Sequence, residues 1–240
     1  MISPEKIREY QEETSTSSPA DLLHWTIQKF PEGLVFTSSF SAEDMVILHL
    51  IHTLKLPIEI ITLDTGRLPE ETYELMEQVK LRYNLPIKVC FPNTTQIEKL
   101  VSEKGFFSFR MSIENRKECC RLRKIEPLKR ALHGKKIWIT GIRQGQSITR
   151  EVARKVEYDA SFNVIKINPL LDWSEEEIWD FIKKNDVPFN RLHTQGYPSI
   201  GCAPCTRAIK PGEDIRAGRW WWETPEQKEC GLHGYCNKDN

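Results

Sequence analysis

Short apolar runs alternate with longer amphipathic stretches along most of the chain, and that alternation predicts an α/β protein. Residues 33–37, 58–63, 87–91 and 135–141 read as strands, because each is a brief Val-, Ile- or Leu-containing run bounded by Gly, Pro or polar residues. Residues 45–54, 70–83 and a segment from 94 to near Gly105 read as the helices between and after them. Upstream, a short helix over 4–13 is followed by one from 19 that carries Leu22, Leu23, Ile27 and Phe30 inward and stops at Pro31-Glu32-Gly33. Residues 118–132 read as helical, with Pro127 either kinking that helix or starting another. Residues 156–159 and 164–168 read as a β pair turning near Ser161, and Ser174 caps a helix over 175–185. Residues 106–113 are an aromatic-rich connector, and regular periodicity fades after Val187. The expectation is a single α/β domain over 19–209 with a mostly parallel twisted sheet flanked by helices, a polar segment 1–18 before it and an irregular tail 210–240 after it.

Three strand ends run into polar loops. The first strand leads into Ser38-Ser39-Phe40-Ser41-Ala42-Glu43-Asp44, and the second into Asp64-Thr65-Gly66-Arg67. The fourth leads into Ile142-Arg143-Gln144-Gly145-Gln146-Ser147-Ile148-Thr149-Arg150. In an open parallel sheet the carboxyl ends of the strands border the usual ligand crevice, and helix N-termini there offer N–H groups to anions. Arg143 and Arg150 suit bidentate contact with phosphate or sulfate. Spacing alone supports no more than a serine-capped helix start in the first loop, a glycine turn in the second and a surface loop in the third.

Lysine plus arginine and aspartate plus glutamate are equal at 34 each, so the net charge is zero. That argues against a general nucleic-acid or membrane-surface binder, while leaving room for a local basic pocket. No apolar stretch is long enough to span a bilayer, and the polar start of the chain does not read as a signal peptide. Seven cysteines without an export signal read as metal ligands or catalytic thiols before disulfides, and a cytoplasmic enzyme is expected.

Four of the cysteines form two clusters, Cys119-Cys120 and Cys202-Ala203-Pro204-Cys205. Cys-x-x-Cys is a recurrent metal-ligand spacing. Adjacent residues on a helix point about 100° apart, so an adjacent pair ill suits one small tetrahedral ion. A four-iron cluster offers a separate iron to each thiolate. One [4Fe-4S] cluster on Cys119, Cys120, Cys202 and Cys205 is therefore the leading expectation, structural zinc the second, and unrelated buried thiols the third. Lys124, four residues after Cys120 and on the same helical face, and the neighbouring Arg116, Lys117, Arg121 and Arg123 would offset the charge of such a centre. Cys90 reads as a buried structural cysteine, and Trp220-Trp221-Trp222 as a core anchor before a partner-docking surface.

Together the cysteine pair, Gly201-Cys202-Ala203-Pro204-Cys205, Leu63-Asp64-Thr65-Gly66-Arg67 and Glu229-Cys230-Gly231-Leu232-His233 resemble the assimilatory adenylyl-sulfate reductases of the phosphoadenylyl-/adenylyl-sulfate reductase family, over residues 30–234. The resemblance implies an adenine nucleotide α-hydrolase-like fold related to the PP-loop pyrophosphatases and a [4Fe-4S] cluster. It implies reduction of adenosine 5′-phosphosulfate to sulfite and AMP with thioredoxin as electron donor, in sulfate assimilation and cysteine biosynthesis. Ser38, Ser39, Phe40, Ser41 and Asp44 match its modified PP-loop, and Leu63, Asp64, Thr65, Gly66 and Arg67 its nucleotide-contacting turn. Arg143 and Arg150 match its arginine loop, although Gln144-Gly145 replaces the basic-acidic pair common after the first arginine. Lys124 matches the lysine between cluster and substrate, and Arg216 and Arg219 match arginines near the phosphosulfate. Cys230 matches the nucleophile and His233 its companion. Cys236 lies beyond the motif and receives no role.

Sulfur in an activated sulfate calls for a soft nucleophile, and a thiolate meets that need. Cys230 is expected to form an S-sulfonate that a separate thiol protein then resolves. A 3′-phosphoadenylyl-sulfate reductase or dual-substrate enzyme, a PP-loop sulfurtransferase, and a zinc-stapled binding module are the alternatives. The sequence leaves the oligomeric state open, a homo-oligomer included.

Overall fold

The computed structural model describes residues 2–146, 150, 152–224 and 231–232. Two compact units interleave along the chain. The first is built from Met1–Thr62, Glu74–Lys88 and Leu132–Asn190, and the second from Leu63–Tyr73, Val89–Ala131 and the chain from Arg191 onward.

The first unit holds most of a six-stranded sheet. Its strands are β1 (Leu34–Ser38), β2 (Glu59–Leu63), β3 (Ile87–Cys90), β4 (Ile137–Ile139), β5 (Val156–Asp159) and β6 (Val164–Ile167), in the order β3-β2-β1-β4-β6-β5. β1 pairs in parallel with β2 and β4, and β4 in parallel with β6. Only the β5–β6 hairpin is antiparallel among the registered pairs, closed by Asp159, whose Oδ1 accepts the N–H groups of Ser161 and Phe162. The mostly parallel sheet expected from the apolar runs is therefore present. Connections after β1 and β4 leave the sheet on opposite sides of the strand order, which makes the β1–β4 boundary the topological switch point.

Helices α1 (Pro4–Thr14), α2 (Pro19–Lys29), α3 (Ala42–Thr53), α4 (Glu70–Tyr83) and α8 (Glu175–Lys184) accompany these strands. Each start has a chemical cause. Ser3 and Ser18 cap α1 and α2, each followed at once by proline. Ser174 and Glu177 form a reciprocal capping box on α8. α1 packs along β5 and α3 against α8. Leu22, Leu23, Phe36, Val46, Ile47, Ile137 and Ile167 are fully buried in one apolar core.

The second unit contains α5 (Thr94–Lys104), α6 (Ile113–Cys120) and α7 (Glu126–Leu132). Helix α6 begins earlier than the apolar pattern indicated, because Ser112 caps it by accepting the Asn115 N–H. Between α6 and α7, Arg121–Ile125 form a π turn in which the Glu126 N–H reaches the Arg121 carbonyl. Pro127 explains the widening. It lacks an N–H, and its ring would clash with the carbonyl four residues back in a regular helix. A separate small core gathers Leu100, Phe109, Leu122 and Trp220 with Cys119, Cys120, Cys202 and Cys205. No helix among the described residues is long and apolar enough to cross a membrane.

Candidate functional site

In the first unit the loop after β1 meets the loop after β4 at the switch point. Phe40 is buried with φ +60°, a backbone state that bulky residues rarely adopt. It turns the chain so that Ser41 caps α3, with the Asp44 N–H 3.4 Å from its hydroxyl. The Asp44 carboxylate folds back and accepts the Ser39 N–H at 2.6 Å and the Ser39 hydroxyl at 2.7 Å. The Ser38 hydroxyl accepts the Phe40 N–H at 3.1 Å. Burial pushes the Asp44 carboxyl up from 3.8 to about 6, against the opposing pull of the Ser39 bonds. Gly141 makes this packing feasible, since a Cβ there would lie 2.3 Å from Asp44 Oδ1.

Arg143, expected as an anion contact, is buried in this unit with its guanidinium on protein acceptors. Its Nε donates to Glu43 Oε1 at 2.9 Å and its Nη1 to the Trp173 carbonyl at 3.2 Å. Gln146 accepts both the Arg143 N–H and an Arg150 guanidinium N–H. Glu43 and Gln146 were absent from the expected site. Glu43 lies in the first turn of α3, where the helix dipole favours an acid.

In the second unit the turn after β2 is self-bonded. Asp64 accepts the Gly66 N–H at 2.7 Å and the Tyr73 hydroxyl at 2.9 Å, while the Thr65 hydroxyl accepts the Arg67 N–H at 3.2 Å. Gly66 takes φ +70°, and Leu63 is half-buried at the end of the strand. Burial, followed by the Asp64 bond, pushes the Tyr73 hydroxyl up to about 12. This turn is fastened to the Cys202–Cys205 loop. The Ala203 N–H donates to the Arg67 carbonyl at 2.8 Å, and the Cys202 thiol hydrogen-bonds the Thr65 hydroxyl at 3.3 Å. Arg123 Nη1 donates to the Thr65 carbonyl at 2.7 Å.

Cys119, Cys120, Cys202 and Cys205 line one pocket with Arg67, Arg116, Arg123, Lys124, Arg219, Phe109 and Trp220. The four thiols are buried and unbridged. Helical spacing accounts for the cations: Arg116 precedes Cys120 by four residues, Arg123 follows Cys119 by four, and Lys124 follows Cys120 by four. Lys117 and Arg121, off that face, are exposed. Arg67 Nη1, Arg123 Nε and Trp220 Nε1 are buried donors with no hydrogen-bond partner among the described residues. Burial alone would raise the Cys202 thiol, but Lys124, Thr65, Arg219 and Arg123 together bring it below its ordinary value. Burial and then the Cys202 charge push Cys205 up to about 12, and burial raises Cys119. Among the described residues, no three His, Cys, Asp or Glu side chains form a group that could hold a metal ion.

Arg219 braces the pocket. It donates to Ser199 Oγ at 3.3 Å and to the Ile200 carbonyl at 3.2 Å, and a Cβ on Gly201 would fall 2.3 Å from its Nη2. The Arg216 N–H donates to Asp214 at 2.8 Å, and its carbonyl accepts the Arg219 N–H. Trp220 is the buried anchor expected of the tryptophan run, whereas Trp221 is exposed. Cys90 is half-buried and free, its carbonyl taken by the Asp64 N–H. Cys230, His233 and Cys236 lie outside the described residues. Gly231 is described, and a Cβ on it would sit 3.4 Å from Ile125 Cδ1, next in sequence to Lys124.

A parallel sheet with serine- and arginine-bearing loops at its switch point defines an α/β protein of the PP-loop fold. Residues 33–208 match the phosphoadenosine phosphosulfate reductase domain, and the chain belongs to that family. It is 56% identical over 202 residues to a protein named adenosine 5′-phosphosulfate reductase from Allochromatium vinosum, covering 84% of this chain and 79% of that one. A protein of the same name from Neisseria meningitidis serogroup B is 52% identical over 199 residues, covering 82% and 81%. The crystal structure of phosphoadenylyl-sulfate reductase from Candida auris superposes with a TM-score of 0.75 at 28% identity, covering 87% of this chain and 98% of that chain. FMN adenylyltransferase from Candida glabrata shares the fold alone, with a TM-score of 0.57 at 17% identity over 92% of this chain and 76% of that chain.

Proposed function

We propose that this protein reduces adenosine 5′-phosphosulfate to sulfite and AMP in assimilatory sulfate reduction, in the cytoplasm, with a thioredoxin as the separate electron donor. The observation that carries the reading is the high identity to adenosine 5′-phosphosulfate reductases in a chain whose four clustered thiols share one cation-lined pocket.

The pocket suits an iron–sulfur cluster. Four thiolates on a [4Fe-4S] centre leave net negative charge, and Arg116, Arg123, Lys124 and Arg219 line the place where it would sit. The unpartnered donors Arg67 Nη1, Arg123 Nε and Trp220 Nε1 are groups that cluster sulfurs would accept from. Cys119, Cys120, Cys202 and Cys205 would hold the group, which would supply a fixed charge and a tie between the two cysteine segments.

Every chemical step belongs to thiols. The Cys230 thiolate attacks the sulfuryl sulfur, the S–O bond breaks, and AMP leaves with the electron pair. A thioredoxin thiolate then attacks Cys230 Sγ and expels sulfite. Its second thiol resolves the mixed disulfide, so the two electrons come from the dithiol. Substrate and nucleophile are both anionic, and Lys124, Arg143, Arg150, Arg216 and Arg219 would offset their repulsion. Ser38, Ser39, Phe40, Ser41 and Asp44 would shape the phosphate loop. Leu63, Asp64, Thr65, Gly66 and Arg67 would meet the nucleotide, and His233 would assist Cys230.

A 3′-phosphorylated substrate is the second reading, favoured by the named activity of the Candida auris relative. Assaying both nucleotides with thioredoxin on anaerobically purified protein tests the proposal. Sulfite release from the unphosphorylated nucleotide, at least ten-fold the more efficient, is expected. Preference for the 3′-phosphate form would overturn the substrate assignment, and a colourless iron-free enzyme of full activity would overturn the cluster.

A further inference from the structure

One position on β1 escapes the cover that hides the rest of its face. Successive strand residues point to opposite sides, so Val35 and Thr37 share a face, with Trp138 of β4 beside Val35 and Ile61 of β2 beside Thr37. Lys166 of β6 continues the row next to Trp138. Val35, Ile61, Trp138 and Lys166 are each no more than 1% exposed. Thr37 has a strand on either side of it, yet it is half-buried while the other positions of β1 are buried. The cover therefore ends at Thr37, where the strand runs into the Ser38–Asp44 loop. The Trp138 indole Nε1 donates to Thr37 Oγ1 at 2.7 Å. That ring is itself held, by Lys166 Nζ 5.3 Å from its centroid and by Phe162 meeting it edge-on at 5.3 Å. A hydroxyl accepting such a bond must send its proton elsewhere, and among the described residues no acceptor takes it.

A directed donor at the carboxyl end of a central parallel strand sits where an open α/β sheet meets its ligand. Ile61 and Trp138, its neighbours on that face, are uncharged, and Lys166 is paired with Glu157 at 3.1 Å. Such surroundings suit a neutral hydrogen-bond acceptor better than a phosphate. Thr37 also precedes Ser39 by two residues, about 7 Å along the strand, and lies farther from the start of α3, where an anion gains most. Resting on the proposed function for the identity of the ligand, we infer that Thr37 is a further substrate-contacting residue whose hydroxyl donates to the nucleoside part of the nucleotide. Trp138 is then a positioning residue, which aims that hydroxyl by occupying its acceptor side. A hydroxyl that accepts one bond donates the next more strongly, so the indole strengthens the contact as well as directing it.

The test measures AMP and adenosine affinity by calorimetry in the full chain and in Thr37→Val, Thr37→Ser, Trp138→Phe and the double variant Thr37→Val with Trp138→Phe. Thr37→Val keeps the shape and deletes the hydroxyl, and is expected to weaken both ligands about three- to ten-fold, the worth of one hydrogen bond. Thr37→Ser restores the donor and should bind within about three-fold of the parent. Trp138→Phe leaves the hydroxyl without its guide and should weaken both ligands about two- to five-fold. Thr37→Val alone strands the indole N–H, whereas the double variant leaves neither partner unsatisfied. Adding Thr37→Val should therefore destabilise Trp138→Phe less than it destabilises the parent, by denaturant unfolding, while the affinity of the double variant stays as weak as that of Thr37→Val. Parent-like affinity in Thr37→Val would overturn the inference. So would recovery of affinity in the double variant, since the loss would then come from the stranded indole. A loss for AMP with adenosine unchanged would overturn the assignment to the nucleoside. A parent that binds AMP with this pattern yet releases no sulfite would refute the proposed reaction and leave the contact standing.

Discussion

The Thr65 hydroxyl and the Cys202 sulfur lie 3.3 Å apart, joining the turn after β2 to the Cys-x-x-Cys loop. The Ala203 N–H to Arg67 carbonyl bond runs alongside, so the two segments form one bonded assembly. Removing the hydroxyl leaves both the Cys202 sulfur and the Arg67 N–H without this partner. Thr65→Val is expected to cost about 1–3 kcal/mol, the range for a buried polar group stripped of its partner. It should also hasten iron loss to a chelator, followed by visible absorbance, whereas Thr65→Ser should hold iron like the parent. Equal retention in all three would remove Thr65 from the thiol environment.

Asp44 makes the fold's stability depend on pH. Its folded value is raised, so its burial costs nothing below its ordinary 3.8. The cost grows as pH climbs from there to about 6 and is constant above. At about 1.36 kcal/mol per pH unit the plateau cost is about 3 kcal/mol. Asp44→Asn is expected to gain up to that amount at pH 8 and only about 0.5 kcal/mol at pH 4, measured by denaturant unfolding at both. A gain of the same size at both pH values would show that ionisation is not the cause.

Gly141→Ala drives a methyl from the loop after β4 to 2.3 Å from Oδ1 of Asp44, the residue that closes the loop after β1. The carboxylate must shift, and its other oxygen, Oδ2, is the one that holds Ser39. Destabilisation of about 1–3 kcal/mol is expected from the overpacking, together with at least a ten-fold loss of nucleotide affinity by calorimetry. Unchanged affinity would take the Ser39–Asp44 loop out of substrate binding.

Glu43 and Arg143 form a pair whose side chains are 10% and 4% exposed. Neutralising only Glu43 leaves a buried guanidinium charge. Glu43→Gln is therefore expected to cost about 3–5 kcal/mol in chemical unfolding, the range for breaking one partner of a buried pair. A change below about 1 kcal/mol would mean that Arg143 is hydrated in solution.

The strands and most helices were legible because their apolar period and capping serines act locally, as at Ser41 and Ser174. The convergence of the four thiols was also legible, from adjacent cysteines on a basic helix and a distant Cys-x-x-Cys. Other features depend on the fold. Gly141 reads as a loop glycine until Asp44 is placed against it, and Glu43 reads as a favourable first-turn acid until Arg143 arrives. The π turn after Cys120 arises from Pro127, where the sequence already pointed to a kink or a new helix, although not to its π form. Arg116 carried an i,i+4 signal toward Cys120, but its partner Glu223 lies 107 residues away and carries no motif.

Mass spectrometry of the protein incubated with adenosine 5′-phosphosulfate and no reductant tests the central claim most directly. One sulfonate on the peptide containing Cys230, released as sulfite when thioredoxin is added and absent from Cys230→Ser, is the predicted result. Sulfite production by Cys230→Ser, or a sulfonate on any other cysteine of the parent, would contradict it.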